Sequence, residues 1–378
     1  MSGAPLPLLW RLGAATTLIV MAFAMIGPVL AVLLQQAGHG TGAIGAFAML
    51  PFLLVALLMP VIPRVIGRFG LVRTYRCGAV LQLLGATGYA LGGNVGWWSV
   101  SAVVTGTGAA LLWNATETLL TQEAPPEMRG RVMGAYQTAL GAALALGPFL
   151  PALLRLEAHT VLWLGVAMVG GCLLLALGAR SRAVTALPLP HSGGTWQALR
   201  AVPWLAALAF AGGVFEAGLS AIGAAHASSL GMDLRTATSV AGAIGVGSFL
   251  FQYPAGWAAD HMPVRRVFTA AALLLALASV AVAFAGQAPW LLWACGLLWG
   301  GVGGALYTLS IIQVAHAYAG RATAGGAAAM ITGYTWGGTL GPLASGWTLQ
   351  AAGLTGLAVL LFLLALGALA AARRLAPG

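Results

Sequence analysis

Seven acidic residues are present among 378, and only Glu117 and Glu216 fall inside long apolar stretches. An ionised carboxylate in such a stretch costs roughly 2.5 to 3.5 kcal/mol when the stretch lies in a lipid bilayer, unless the carboxylate faces protein or water. A carboxyl group that is withdrawn from water also binds a proton more readily. The two glutamates therefore predict a site that binds protons or a cationic ligand.

Further polar residues interrupt the same apolar stretches. Asn114 precedes Glu117 by three residues, so the two share a helical face and can share a polar ligand. The other deep polar residues either line a cavity or form hydrogen bonds between helices, and they include Gln82, Tyr253 and Tyr334. The residues that we predict to form a proton-coupling and substrate site are Glu216, Glu117, Asn114, Gln137, Gln252, Tyr307 and Gln313.

Other kinds of chemistry have little support in the sequence. The cysteines Cys77, Cys172 and Cys295 are far apart and lack the spacing of a zinc site. We find no catalytic triad, zinc-protease motif or phosphate-binding loop, so we predict no enzyme, no metal and no cofactor. His226 and His316 lie near predicted helix ends, where a histidine either relays protons or lies at the membrane interface.

The chain around these residues is strongly apolar, with 60% hydrophobic and only 6% charged residues. A bilayer core about 30 Å thick needs roughly 20 apolar residues for each spanning helix. The apolar runs predict twelve spans, at about 13–34, 43–63, 74–93, 97–120, 132–154, 160–179, 203–225, 236–258, 267–286, 290–315, 326–348 and 355–372. The 54 glycines suit close packing of helices in lipid.

The distribution of charge supports this topology. All 17 basic residues are arginine, and the net charge is +10. Nucleic-acid binding is not indicated, because the arginines stand singly or in pairs at the ends of apolar runs. With a cytoplasmic amino terminus, only Arg155 and Arg235 fall outside, so the positive-inside rule predicts that both termini are cytoplasmic. No arginine lies deep in a span, which favours a neutral or cationic substrate over an anionic one.

The two halves of the chain repeat each other. The loops Pro63–Arg73 and Gly256–Arg266 align, and their last arginines are 266 − 73 = 193 positions apart. Gly147 and Pro148 in the fifth span recur as Gly341 and Pro342 in the eleventh, 342 − 148 = 194 positions later, and we assign both pairs to helix packing.

Six spans restore the same sidedness, so the repeat predicts two parallel halves. The predicted fold is an all-α membrane protein of two six-helix pseudo-symmetric bundles. We place the bundles at 1–179 and 203–378, with a cytoplasmic connecting loop at 180–202.

The two loops resemble the signature of the major facilitator superfamily, Gly-x-x-x-Asp-Arg-x-Gly-Arg-Arg. The first copy has Pro63 and Gly67 where glycine and aspartate are usual. The positions that agree with the family are Gly256, Asp260, Arg265 and Arg266 in the second copy and Arg68 and Gly70 in the first. We assign Arg73, which aligns with Arg266, to the same gating motif. Within the superfamily, Leu112–Glu117 followed by Arg129–Arg131 and Tyr136 is similar to the YcaD-like bacterial transporters.

The resemblance implies a fold, a transport function and a gate. In the family, the loop aspartate and arginines form a cytoplasmic charge cluster that holds the outward-open state. Asp260, Arg265 and Arg266 stand at those positions, although the two arginines can also serve only to set the topology. The glycine at position 67 leaves open whether the first half has a latch of its own.

These observations together predict a monomeric secondary transporter in the cytoplasmic membrane of a bacterium. It moves a small molecule by alternating access, coupled to protons, and export is favoured over import. A facilitative uniporter without proton coupling is the closest alternative. A receptor of the same fold is a more distant one, because such proteins usually carry a signalling extension.

Overall fold

The computed structural model describes residues 6–125, 128–179, 199–317 and 323–375. Within these ranges the chain is helical and contains no β-strand. Most of the predicted connecting loop, residues 180–198, lies outside the described residues. The helices are α1 (Leu6–Gln36), α2 (Thr41–Leu58), α3 (Ile62–Phe69), α4 (Leu71–Leu91), α5 (Val95–Glu123), α6 (Arg129–Leu146), α7 (Leu150–Leu153), α8 (Ala158–Leu177), α9 (Pro203–Glu216), α10 (Ser220–Ser229), α11 (Leu234–His261), α12 (Val264–Ala281), α13 (Leu291–Ala317) and α14 (Thr323–Arg373).

The helices are those of a multi-pass membrane protein. Nine helical segments of the described chain are long and apolar enough to cross a bilayer, so the exact number of twelve spans stays a prediction. The difference arises in three places. Helix α4 contains Arg73, Arg76 and Gln82, α6 gives way to a 3-10 turn at Gly147, and α14 continues through the predicted gap between the last two spans, with a break at Gly353 (φ +61°).

Two further predicted spans are also broken into separate helices. Helix α2 ends before α3, which has Pro63 in its first turn, where proline's missing N–H costs nothing. Helices α9 and α10 are separated by residues 217–219, and the N–H of Gly218 donates to the carbonyls of Gly213 and Val214, at 3.1 Å each. The second break leaves Glu216 at the end of α9.

Contacts divide the described chain into two units, with boundaries at Ile26/Gly27 and Phe52/Leu53 and between residues 179 and 199. Unit 1 contains the described residues of 6–26 and 53–179, and unit 2 those of 27–52 and 199–375. Residues 27–52 thus group with unit 2, whereas the sequence prediction placed them in the first bundle.

The start of α2 belongs to unit 2 because it packs on α14. The hydroxyl of Thr41 donates to the carbonyl of Gly346 at 2.9 Å. A side chain at Gly45 would collide with the carbonyl of Pro342. Small residues of this kind allow the close backbone approach that associates helices in lipid.

The repeated Gly-Pro pairs also lie at close helix contacts. A Cβ atom at Gly147 would lie 2.7 Å from the carbonyl oxygen of Met21 in α1. A Cβ atom at Gly341 would lie 3.1 Å from Cα of Val214 in α9. Pro148 is part of the 3-10 turn that follows α6. In each half, a neighbouring backbone occupies the space that a side chain would need.

Glycines in α13 bring three helices of unit 2 together. A Cβ atom at Gly212 of α9 would lie 2.6 Å from the carbonyl oxygen of Gly303. On another face of α13, a side chain at Gly300 would collide with the backbone of Ile244 in α11. Because α9, α11 and α13 approach this closely, short polar side chains on them can reach one another.

Polar groups satisfy several helix ends. The carboxylate of Asp233 accepts a hydrogen bond from Thr236 N at 3.1 Å at the start of α11, and the hydrogen bonds from Thr236 hold the pKa of Asp233 below its ordinary value. In unit 1, Arg76 donates to the carbonyl of Leu177, the last residue of α8, at 2.9 Å and to that of Ala179, just beyond it, at 2.7 Å. Helix carboxyl ends leave carbonyls without partners and attract cations, so Arg76 has a structural role.

We expect Arg76→Leu to lower the stability of the protein by about 2 kcal/mol, because charge-assisted hydrogen bonds to the end of α8 are lost. Arg73→Leu is the matched control, since Arg73 lies one turn away and is exposed. Thermal unfolding of the purified variants in the same detergent measures the difference. Equal melting temperatures for the two variants would contradict the capping role.

Candidate functional site

Glu216 is the centre of a polar cluster inside unit 2. The hydroxyl of Ser248 in α11 donates to Oε1 of Glu216. The hydroxyl of Tyr334 in α14 donates to Oε2 at 3.0 Å. Both carboxylate oxygens are therefore held by side chains from other helices, as a carboxylate within a membrane span requires.

A second polar group adjoins the carboxylate. Gln252 lies one turn after Ser248 in α11, and its Oε1 accepts a hydrogen bond from the hydroxyl of Thr308 at 2.7 Å. A Cβ atom at Gly304 would lie 2.8 Å from Glu216 Oε1 and 2.9 Å from Gln252 Nε2. Gly304 has no side chain, and this leaves room for the carboxylate of Glu216 and the amide of Gln252.

Two aromatic rings complete the cluster. The rings of Tyr307 and Tyr334 have centroids 4.4 Å apart and are tilted by 40°. In α13, Tyr307 and Thr308 are partly exposed, whereas residues 301–306 and 309–310 around them are buried. Glu216, Gln252 and Tyr334 are also partly exposed. The cluster is therefore not sealed inside unit 2, and it combines a carboxylate, an amide and aromatic surface.

The partners of Glu216 suit a carboxyl group that changes its protonation state. A hydroxyl can donate to a carboxylate or accept from a protonated carboxyl group, whereas an arginine can only donate. In the structure as described, the hydrogen-bond partners of Glu216 are the hydroxyls of Ser248 and Tyr334. Either form of Glu216 therefore finds partners without rearrangement of the helices.

The predicted residues of unit 1 are arranged differently. Glu117 Oε1 accepts a hydrogen bond from Trp113 Nε1 at 2.7 Å. Asn114 donates instead to the carbonyl of Ala110, at 2.9 Å, and approaches the sulfur of Met59 at 3.4 Å. Glu117 is partly exposed, and the hydrogen bond from Trp113 comes from its own helix.

The structure brings only part of the predicted site together. Glu216, Gln252 and Tyr307 meet in unit 2. Gln137 is exposed on α6, and Gln313 is partly exposed on α13. Gln313 follows Tyr307 by six residues, which places it about 240° around the helix from Tyr307.

Several residues of the cluster were not among the predicted site residues. The residue types of Ser248 and Thr308 do not mark them as site residues, because hydroxyl side chains are common in packed spans. The spacing of Ser248 and Gln252, four residues apart, and the glycine at 304 were the available signs of a polar face. In the sequence, Tyr334 stands out only as one of several polar residues deep in the predicted spans.

The predicted gating residues do not form an ion pair among the described residues. Asp260, in the last turn of α11, and Arg266, in the first turn of α12, are exposed, and Arg265 is partly exposed. Gly256 lies within α11. In the first copy, Arg68 and Arg73 are exposed, and Gly70 joins α3 to α4 with a φ of +86°.

The remaining candidates add no second site. Among the described residues, no group of three or more His, Cys, Asp or Glu could hold a metal ion. His226 Nε2 is buried without a partner, while Nδ1 lies 3.4 Å from the hydroxyl of Ser229. The side chain of His316 lies outside the described part of the chain.

The repeat shows how the two halves diverge at this site. Gln252 corresponds to Met59 (252 − 59 = 193), and Tyr307 corresponds to Asn114 (307 − 114 = 193). The residue 193 positions before Glu216 is Phe23. The carboxylate site thus belongs to the second half of the chain alone.

Comparisons with known proteins agree with this architecture. The model of the Major Facilitator Superfamily matches residues 12–247 and 218–377. An uncharacterized MFS-type transporter of Bacillus subtilis (strain 168), YfkF, is 25% identical over 340 residues, which cover 86% of this chain and 84% of that protein. Among solved structures, the nucleoside transporter NupG has a TM-score of 0.76 at 14% identity, covering 97% of each chain. A D-xylose-proton symporter has a TM-score of 0.72 at 13% identity, again covering 97% of each chain.

The long apolar helices are those of a multi-pass membrane protein, and the family match identifies the protein as a transporter. The chain belongs to the Major Facilitator Superfamily. The narrower similarity to the YcaD-like branch stays a prediction.

We expect Ser248→Ala to destabilise the protein by about 1 to 3 kcal/mol, because a carboxylate within a spanning segment loses one of its two donors. In a Glu216→Leu background the same substitution should cost much less, since the acceptor is absent. Thermal unfolding of the four proteins of this double-mutant cycle gives the coupling energy.

Ser310→Ala serves as the matched control for this cycle. Ser310 is fully buried and donates to the carbonyl of Leu306 in its own helix at 2.7 Å. It should show no coupling to Glu216. Equal coupling energies for Ser248 and Ser310 would contradict the role of Ser248 at the carboxylate.

Proposed function

We propose that this protein is a proton-coupled secondary transporter of a small neutral or cationic molecule, with Glu216 as the proton-binding residue. The observation that carries the proposal is the pair of hydroxyl partners, Ser248 and Tyr334, on the two oxygens of a carboxyl group within a spanning segment. We infer that the protein lies in the cytoplasmic membrane of a bacterium as a monomer, with both termini in the cytoplasm.

Coupling requires a group that binds a proton in one state and releases it in another. A carboxylate paired with arginine stays ionised, whereas one held by hydroxyls can exist in both forms. The energetic cost of the ionised form in an apolar setting favours its neutralisation by a proton or by a cationic substrate. A proton symporter shares this fold, which is compatible with the proposal without identifying the substrate.

The chemistry of the cluster supports the proposed class of substrate. A carboxylate beside aromatic rings attracts cations, because the faces of the rings carry negative potential. The amide of Gln252 can donate to or accept from a polar neutral molecule. Among the described residues, no arginine forms a hydrogen bond or ion pair with Glu216 or Gln252, which argues against an organic anion as substrate.

Transport would follow from two states that expose the site to opposite sides of the membrane. Protonation and substrate binding shift such an equilibrium only if they bind the two states with different affinity. We propose export as the direction. We assign Asp260, Arg265 and Arg266 to a cytoplasmic gate and Glu117 to a secondary polar site.

The decisive experiment is transport into proteoliposomes. A thermal-stabilisation screen of the purified protein with amines and neutral polar compounds first identifies a ligand, since a ligand raises the stability of the folded state that binds it. With that ligand, we expect an imposed pH gradient to drive accumulation by wild type. Glu216→Gln should lose this accumulation but keep exchange of ligand across the membrane.

Glu157→Gln is the matched control, because Glu157 is an exposed carboxyl group outside the spans. It should behave as wild type. Accumulation by Glu216→Gln equal to that of wild type would refute the role of Glu216. Wild-type flux that is indifferent to the pH gradient would instead select the facilitative uniporter.

A further inference from the structure

Helix α3 has one buried and one charged face. Ile62 and Ile66, four residues apart, are each 2% exposed and pack into the apolar core of unit 1. Arg64 and Arg68, also four residues apart, are exposed on the other side. The helix is short and ends at Gly70, so it extends neither α2 nor α4.

The charges of this helix have no anionic partner among the residues that the structure describes. Arg64 lies 3.5 Å from the carbonyl of Pro60, a long distance for a hydrogen bond. The guanidinium of Arg68 lies 5.6 Å from the centre of the Phe69 ring. Arg73, in the first turn of α4, is exposed, and none of the three arginines forms an ion pair within the described chain. Three cations at one end of unit 1 are thus available to an external anion.

Apolar side chains flank these cations. Val61 and Phe69, at the two ends of α3, are 41% and 53% exposed. A helix that combines exposed arginines with exposed apolar residues is typical of the boundary between lipid headgroups and acyl chains. The arginine distribution predicts that this end of unit 1 faces the cytoplasm, where the leaflet carries anionic lipids.

The second half of the chain lacks such a helix. The residues equivalent to α3, at 255–262, continue α11 as far as His261. That copy also has Asp260 where the first has Gly67, so an acid is available beside its arginines. The change from aspartate to glycine and the separate helix occur together in the first half, which indicates a different use of the loop.

We propose that α3 and Arg73 form a binding site for the headgroup of an anionic glycerophospholipid. Arg64, Arg68 and Arg73 pair with the phosphate, and Val61 and Phe69 enter the acyl boundary. The site is separate from the Glu216 cluster, so it does not depend on the proposed function.

Native mass spectrometry of the purified full chain tests this site with three probes: dioctanoyl phosphatidylglycerol, dioctanoyl phosphatidylcholine and inorganic phosphate. We expect phosphatidylglycerol to bind more tightly than phosphatidylcholine. The double variant Arg64→Gln/Arg68→Gln should weaken phosphatidylglycerol binding by about fivefold for each arginine removed. Phe69→Ser should weaken binding of the lipid but leave that of phosphate unchanged.

The matched control is Arg265→Gln/Arg266→Gln, the corresponding pair in the second copy, which should leave the affinity unchanged. An equal loss in the control, or equal binding of the two lipids, would overturn the proposal. Phosphate that competes as effectively as the lipid, with no effect of Phe69→Ser, would show a free-phosphate site instead. If the Arg64/Arg68 variant does not fold, the comparison of the two lipids on wild type still tests the proposal, because equal binding would overturn it.

Discussion

A carboxyl group within a membrane span must find hydrogen-bond partners in the protein, and the structure of unit 2 depends on this constraint. Glu216 ends α9, and its partners come from α11 and α14. Ser248 is a short side chain, so α11 must lie close to α9. The glycines of α13 make this approach possible, because at Gly303 and Gly300 the neighbouring backbones occupy the space of a side chain. The same helix contacts therefore build the fold of unit 2 and bring the residues of the site together.

The two halves of the chain share a pattern but differ in chemistry. Position 23, equivalent to Glu216, is phenylalanine, and Met59 stands where the second half has Gln252. The two loops also differ in their acidic residue. The second half has Asp260, whereas the first half has Gly67 at the equivalent position. On our proposals, unit 2 carries the proton site and unit 1 carries an anchor for lipid headgroups.

The sequence was sufficient for the class of fold, because apolar length and arginine placement follow directly from the thickness and polarity of a bilayer. It also selected Glu216, Gln252 and Tyr307, since polar residues deep in spans are rare enough to stand out. It failed where contacts depend on three-dimensional packing. The contact of Ser248 with Glu216 depends on the break after α9 and on glycine packing, and spacing along one helix encodes neither.

The central claim is that Glu216 binds and releases a proton within the membrane. Infrared difference spectroscopy of the protein in lipid, recorded across a change of pH, tests it directly through the C=O stretch of a protonated carboxyl group. We predict a carboxyl band that appears and disappears with pH in wild type and is absent from Glu216→Gln. A spectrum in which Glu216→Gln retains every carboxyl band of wild type would contradict the account.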